Sequence, residues 1–152
     1  MSNSALIIGA GPAGLMAAER LLAQGAQVQI FDAKPSIGRK FLMAGKSGLN
    51  LTKNEPLAIF QNQYYDASAQ LAPMLNDFGP ADVMRWANAL GADVFSGSSG
   101  RVFPKAMKAS PLLRAWMLIC SMMASMKGGT FTGHAPPRSM PASCRVMASP
   151  SA

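Results

Sequence analysis

"LIIGAGPAGL", residues 6–15, decides how the rest of this sequence is read. A short β-branched run ends in glycine, and Gly9, Gly11 and Gly14 follow at G-x-G-x-x-G spacing before residues that favour a helix. In such a strand-to-helix turn each glycine has its own task. Gly9 permits the tight turn, Gly11 lets the backbone come close to a pyrophosphate, and Gly14 lets the helix pack against the strand. An anion is favoured at the start of that helix, where the N–H groups around Pro12, Ala13 and Gly14 and the positive end of the dipole face it.

The spacing alone fixes only three positions, so the neighbouring elements carry the weight. "ALIIG" (5–9) fits a buried parallel strand. "AGLMAAERLLAQG" (13–25) sets Leu15, Ala18 and Leu22 on one helical face, with Gly25 where a C′ residue belongs. "AQVQIFDA" (26–33) alternates as a second strand and completes a βαβ unit. That strand ends in Asp32, 18 positions past Gly14, where a carboxylate accepts hydrogen bonds from ribose hydroxyls. A free 2′-hydroxyl suits Asp32 better than a 2′-phosphate, and both FAD and NAD satisfy the pattern to this point.

Residues 34–54 are rich in glycine and lysine without helical or strand periodicity and read as one long loop, a length that points to a role beyond connection. Within it, "GRKFLMAGKSGLNLTKNE" (38–55) places Arg39, Lys40, Lys46 and Lys53 among Gly38, Gly45 and Gly48. A pliant backbone with cations suits a long phosphate-bearing ligand, and a solvated basic loop is the plainer alternative. Further on, 68–79 and 80–91 read as two helices closed by Gly79 and Gly91, and 93–104 as a hairpin around a Gly/Ser turn. Ser110 and Pro111 read as N-cap and N1 of another helix.

A chain of 152 residues has room for one domain of ordinary size. With 49% hydrophobic and 14% charged residues it is a folding chain rather than a disordered one. Its net charge of +7 is unevenly spread: seven basic and seven acidic residues balance up to Asp93, and seven basic residues with no acid follow. Those cations are scattered, so the excess does not make a nucleic-acid binder. Cys120 and Cys144 are too far apart for a C-x-x-C pair and no metal site is expected. His134 has no acid or cysteine nearby, and "LLRAWMLICSMMA" (112–124) is too short to span a membrane and holds Arg114. No leader is legible, and the chain is expected to be cytoplasmic, without membrane or nucleic-acid partners. From about residue 118 methionine, serine and proline increase and periodicity disappears. This tail, 118–152, reads as out-of-frame or unrelated sequence, with a basic disordered tail that contacts an anionic partner as the competing reading.

"GAGPAG" (9–14), Asp32, "GRKFLMAGKSGLNLT" (38–52) and "GRVFPKAMKAS" (100–110) together resemble the YhiN/BaiN-like flavoproteins, FAD-dependent oxidoreductases with a two-dinucleotide-binding-domain type of FAD fold. The likeness covers about residues 4–116. It implies FAD with its pyrophosphate over Gly9 to Gly14 and its adenosine ribose on Asp32, and Ala33 and Lys34 beside the adenosine. It also implies Arg39 and Lys40 on the pyrophosphate side and Asn50 and Leu51 approaching the flavin. The implied reaction is hydride or electron transfer through the flavin, with a small-molecule substrate and NAD(P)H as candidate electron donor. No catalytic residue is singled out. Family members are longer, with an inserted substrate domain and a C-terminal return to the FAD sheet.

The expected architecture is therefore α/β, a Rossmann-like FAD/NAD(P)-binding βαβ unit in an incomplete doubly wound sheet. Residues 1–117 form the N-terminal part of an FAD-binding domain. The expected function is that of an FAD-binding oxidoreductase or an N-terminal fragment of one. The alternative is a non-catalytic nucleotide-binding fragment or an NAD-type Rossmann module.

Overall fold

The computed structural model describes residues 3–34, 36–44, 47–126 and 132–133. Gly45, Lys46, His134 and Cys144 lie outside the described residues, as does most of the tail. The described residues divide into two compact units, one from Met1–Met43 and Leu113–Ala152, the other from Ala44–Leu112.

The first unit is built on β1 (Ser4–Ile8), α1 (Pro12–Ala23) and β2 (Gln27–Phe31). β1 and β2 pair in parallel, with Ala5 opposite Val28, Leu6 opposite Gln29 and Ile7 opposite Ile30. This is the βαβ unit expected from the alternation of residues 26–33 and the 3.6-residue face of 13–25. Leu15, Ala18 and Leu22 of α1 are fully buried, each large one contributing about 2 kcal/mol through lost apolar area. The helix ends in a Schellman motif: Gly25 has φ +85°, its N–H donates to Leu22, and the Ala26 N–H donates to Leu21.

β1 departs from expectation. On the Ile7 face Val28 and Ile30 are buried and Ala5 and Ile7 half-buried, whereas on the other face Leu6 is 61% and Ile8 75% exposed. Parallel strands become apolar on both faces when both faces are covered. Among the described residues α1 covers the Ile7 face, and the strand read as buried from "ALIIG" is half-buried on that side and exposed on the other.

A further helix, α2 (Arg39–Ala44), interrupts what reads in sequence as one loop. Six residues are too few to show a period, and too few to be stable as an isolated helix, so tertiary contacts must hold it. The long helix α6 (Ala109–Met126) begins one residue before Ser110, which therefore lies inside the helix rather than capping it. It runs on past residue 118, with Leu113, Trp116, Cys120 and Ala124 buried at helical spacing. β6 (Thr132–Gly133) then pairs in parallel with β2, giving the strand order β1-β2-β6.

The second unit holds β3 (Thr52–Lys53), α3 (Leu57–Asn62), α4 (Ser68–Asp77), α5 (Pro80–Ala89), β4 (Val94–Ser96) and β5 (Arg101–Pro104). Its strands form an antiparallel sheet in the order β3-β5-β4. The hairpin read from 93–104 is β4 and β5, with Phe95 opposite Phe103 and the ring centroids 6.0 Å apart. α5 starts with Pro80 at N1, and the Asp82 carboxylate accepts the Gly79 N–H at 3.0 Å, which satisfies one of the orphan donors of a helix start.

Candidate functional site: a cleft at the glycine turn

The turn from β1 into α1 is held from two sides. Gly9 has φ +105°, a conformation L side chains rarely adopt, and its N–H donates to the Phe31 carbonyl. The neighbouring Ala10 N–H donates to Asp32 Oδ2 at 2.6 Å, and the Lys34 N–H donates to Asp32 Oδ1 at 3.0 Å. The acid at the end of β2 thus ties the glycine turn to the following bend.

The glycines differ in what surrounds them. A Cβ at Gly14 would lie 1.9 Å from the Gly9 carbonyl oxygen and 3.3 Å from Ile7 Cγ2, so its bare α-carbon is what lets α1 sit on β1. A Cβ at Gly11 would meet nothing within 4 Å. Folding has no need of glycine there, since its backbone (φ −81°, ψ −178°) is open to any residue. What its bareness leaves free is the approach to the helix start. There the first helical bond runs from the Leu15 N–H to the Gly11 carbonyl at 2.9 Å, so the earlier donors of α1, at Ala13 and Gly14, have no intrahelical acceptor.

In front of this turn lies a cleft of about 460 Å³ lined by Ala10, Gly11, Asp32, Lys34, Ser36, Arg39, Lys40 and Met43. It brings together five residues singled out in the sequence: Gly11, Asp32, Lys34, Arg39 and Lys40. Gly9, Pro12, Ala13 and Gly14 stand behind it in the turn and first helical turn, and Ala33 is exposed beside Asp32 without lining the cleft. Asn50 and Leu51 belong to the second unit, where Leu49 and Leu51 donate to the carbonyls of Met107 and Val102 and Asn50 is exposed.

Three lining residues escaped the sequence reading. Ala10 was hidden by the glycines on either side of it. Met43 lies four residues after Arg39, and with α2 read as loop the shared helical face was invisible. Ser36 carries no pattern at all.

The chemistry on offer is one carboxylate and three cations around a helix start. Exposed backbone N–H groups, Arg39 and Lys40 suit phosphate oxygens, and Asp32, with each oxygen accepting one backbone N–H, keeps lone pairs for hydroxyls. The residues present fit a dinucleotide: anion donors at the bare turn, an acceptor at the end of β2, and room between them. Among the described residues no group of three or more His, Cys, Asp and Glu could hold a metal ion, and no helix is long and apolar enough to cross a membrane.

Comparison with known proteins adds to this geometry. Ribosomal RNA dihydrouridine synthase of Haemophilus influenzae is 42% identical over 67 residues, which is 42% of this chain and 17% of that protein's length. The crystal structure of Thermovibrio ammonificans THI4 aligns with 95% of this chain and 45% of its own at 16% identity and a TM-score of 0.48. The model of the HI0933-like protein Rossmann domain matches residues 3–127, and so extends beyond the change in composition near residue 118. A parallel βαβ unit with its glycine turn, and a match over most of the sequence, place this chain in the HI0933-like family, within its Rossmann domain.

Proposed function

We propose that the chain binds FAD in the cleft at the glycine turn and forms the nucleotide-binding part of a flavin-dependent oxidoreductase. The observation that supports this reading is the contrast between Gly14, where a Cβ would collide with the Gly9 carbonyl, and Gly11, where a Cβ would meet nothing within 4 Å and the bare backbone lines the cleft. On this reading Gly9, Gly11, Pro12, Ala13 and Gly14 present the helix start to the pyrophosphate. Arg39 and Lys40 neutralise its charge, Asp32 accepts from the adenosine ribose, and Ala33 and Lys34 flank the adenosine. The family resemblance is the ground for proposing that Asn50 and Leu51 approach the flavin. The bound flavin supplies hydride and electron transfer, while the chain supplies binding, orientation and electrostatics. NAD(P)H is the proposed electron donor.

For the substrate, two classes are proposed. One is a small molecule with a reducible double bond. The other is a uridine of ribosomal RNA, taken from the name of the relative that is 42% identical over 67 residues; it runs against the sequence expectation of no nucleic-acid partner. Reduction of unmodified ribosomal RNA by the whole protein with NAD(P)H, scored as dihydrouridine, separates them.

The cofactor is tested by incubating the purified chain with FAD, desalting it and recording the absorption spectrum. Retained flavin bands that disappear in Gly11→Val and Asp32→Ala support the reading. A colourless wild-type chain that takes up NAD instead would replace it with a nicotinamide-dinucleotide module.

A further inference from the structure

The basic wall of the cleft stands on a helix that has little holding it in place. α2 has six residues, none of them buried, and an isolated helix of that length is not stable in water. Yet it carries Arg39, Lys40 and Met43, which line the cleft. At 100° per residue, Phe41 points away from Arg39 and Met43, and its ring meets Trp116 of α6 edge-on, with centroids 6.2 Å apart and planes at 68°. Just before α2, a Cβ on Gly38 would lie 2.8 Å from Leu113 Cδ2, and the Gly38 N–H donates to the Ala10 carbonyl at 2.8 Å. Leu113 and Trp116 are three apart and share one face of α6.

Trp116 is also tied to the opposite wall. It is 1% exposed, and its Nε1–H donates to Glu19 Oε2 at 2.6 Å, a bond between residues 97 apart in sequence. Glu19 lies on α1, the helix whose start forms the glycine turn. One indole therefore touches both the helix that presents backbone donors and the helix that presents cations. We infer that Trp116 is a positioning residue for diphosphate binding: bonded to Glu19 of α1 and packed against Phe41 of α2, it sets the spacing between the glycine turn and the Arg39–Lys40 wall. The inference rests on the proposed reading of the cleft as a diphosphate site.

A spacing role predicts an effect confined to phosphate-bearing ligands, which mere support of the fold would not give. The full chain and the variants Trp116→Leu, Trp116→Phe and Phe41→Leu are titrated with ADP and with adenosine by ligand-observed NMR. Unfolding midpoints are taken in parallel. Trp116→Leu and Phe41→Leu are expected to weaken ADP about tenfold, equivalent to about 1.4 kcal/mol, with adenosine unchanged. Trp116→Phe, which keeps an aromatic edge for Phe41, restores part of the ADP affinity.

Equal losses for both ligands, or an unchanged ADP-to-adenosine ratio in the folded variants, overturn the positioning role. Should Trp116→Leu not fold, Phe41→Leu, which alters a half-buried side chain on α2, gives the same ratio. If the wild-type chain binds neither ligand, the functional reading fails instead. The packing claim is then judged by amide exchange of residues 39–43 in the ligand-free chain: faster exchange in Phe41→Leu upholds it, and identical exchange refutes it.

Discussion

Asp32 accepts the backbone N–H of Ala10 at 2.6 Å, so a carboxylate that faces the cleft also clamps the turn behind it. The same side chain accepts the Lys34 N–H at 3.0 Å. On the proposed reading, cofactor binding and local stability are therefore coupled at one residue.

Replacing Asp32 with alanine leaves the N–H groups of Ala10 and Lys34 without their acceptor and is expected to lower stability by about 1–3 kcal/mol. Asp32→Asn keeps an acceptor oxygen for one of the two donors and should cost less. Chemical denaturation of the three proteins measures this. An alanine variant with the wild-type midpoint would show that the clamp contributes nothing to folding.

Gly14→Ala and Gly11→Ala should behave oppositely. The first forces a Cβ to 1.9 Å from the Gly9 carbonyl and is expected to cost about 3 kcal/mol or more, at or beyond the upper end of overpacking penalties. The second meets no atom within 4 Å and should leave the unfolding midpoint close to wild type while reducing retained FAD. Comparable destabilisation by both would remove the distinction between a packing glycine and a ligand-facing one.

Burial, and secondarily the neighbouring Glu19 carboxylate, push the Cys120 thiol from 9.0 up to about 11. Below the lower value both folded and unfolded chains hold the proton. Between the two values the unfolded chain releases it first, so this group makes stability fall as pH rises, by at most about 2–3 kcal/mol. Cys120→Ala should flatten the slope of stability against pH in that alkaline window. Peptide mapping after alkylation should also find Cys120 protected in the native protein and labelled in denaturant, and rapid native labelling would contradict its burial.

The two faces of the parallel sheet should differ sharply under mutation. Leu15, fully buried against it, is expected to cost about 2–5 kcal/mol when cut to alanine. Leu6, 61% exposed on the far face, should change stability by about 0.5 kcal/mol or less as serine. A large loss at Leu6 would mean that this face is covered in solution.

The glycine turn, α1, β2, the helices α4 and α5 and the β4–β5 hairpin were all legible in the sequence. Their signals are local: glycine spacing, a proline at a helix start, alternation over five residues, an apolar face over twelve. The carboxylate of Asp32 was legible too, because its distance along the chain from the turn follows from the length of one helix and one strand. Read from sequence alone, these residues determine an α/β Rossmann-like unit.

Other features emerged only when distant segments met. α2 has no periodicity to read, and it exists as a helix because Phe41 packs on Trp116 and Gly38 fits under Leu113. Met43 lines the cleft from that helix. The exposure of Leu6 and Ile8 depends on what covers a sheet face, which strand alternation does not encode. The bond from Trp116 to Glu19 spans 97 positions, and no local pattern announces a contact whose geometry is set by two helices packing together. Local chemistry thus determined which residues could hold a phosphate, and tertiary packing decided how far apart they stand.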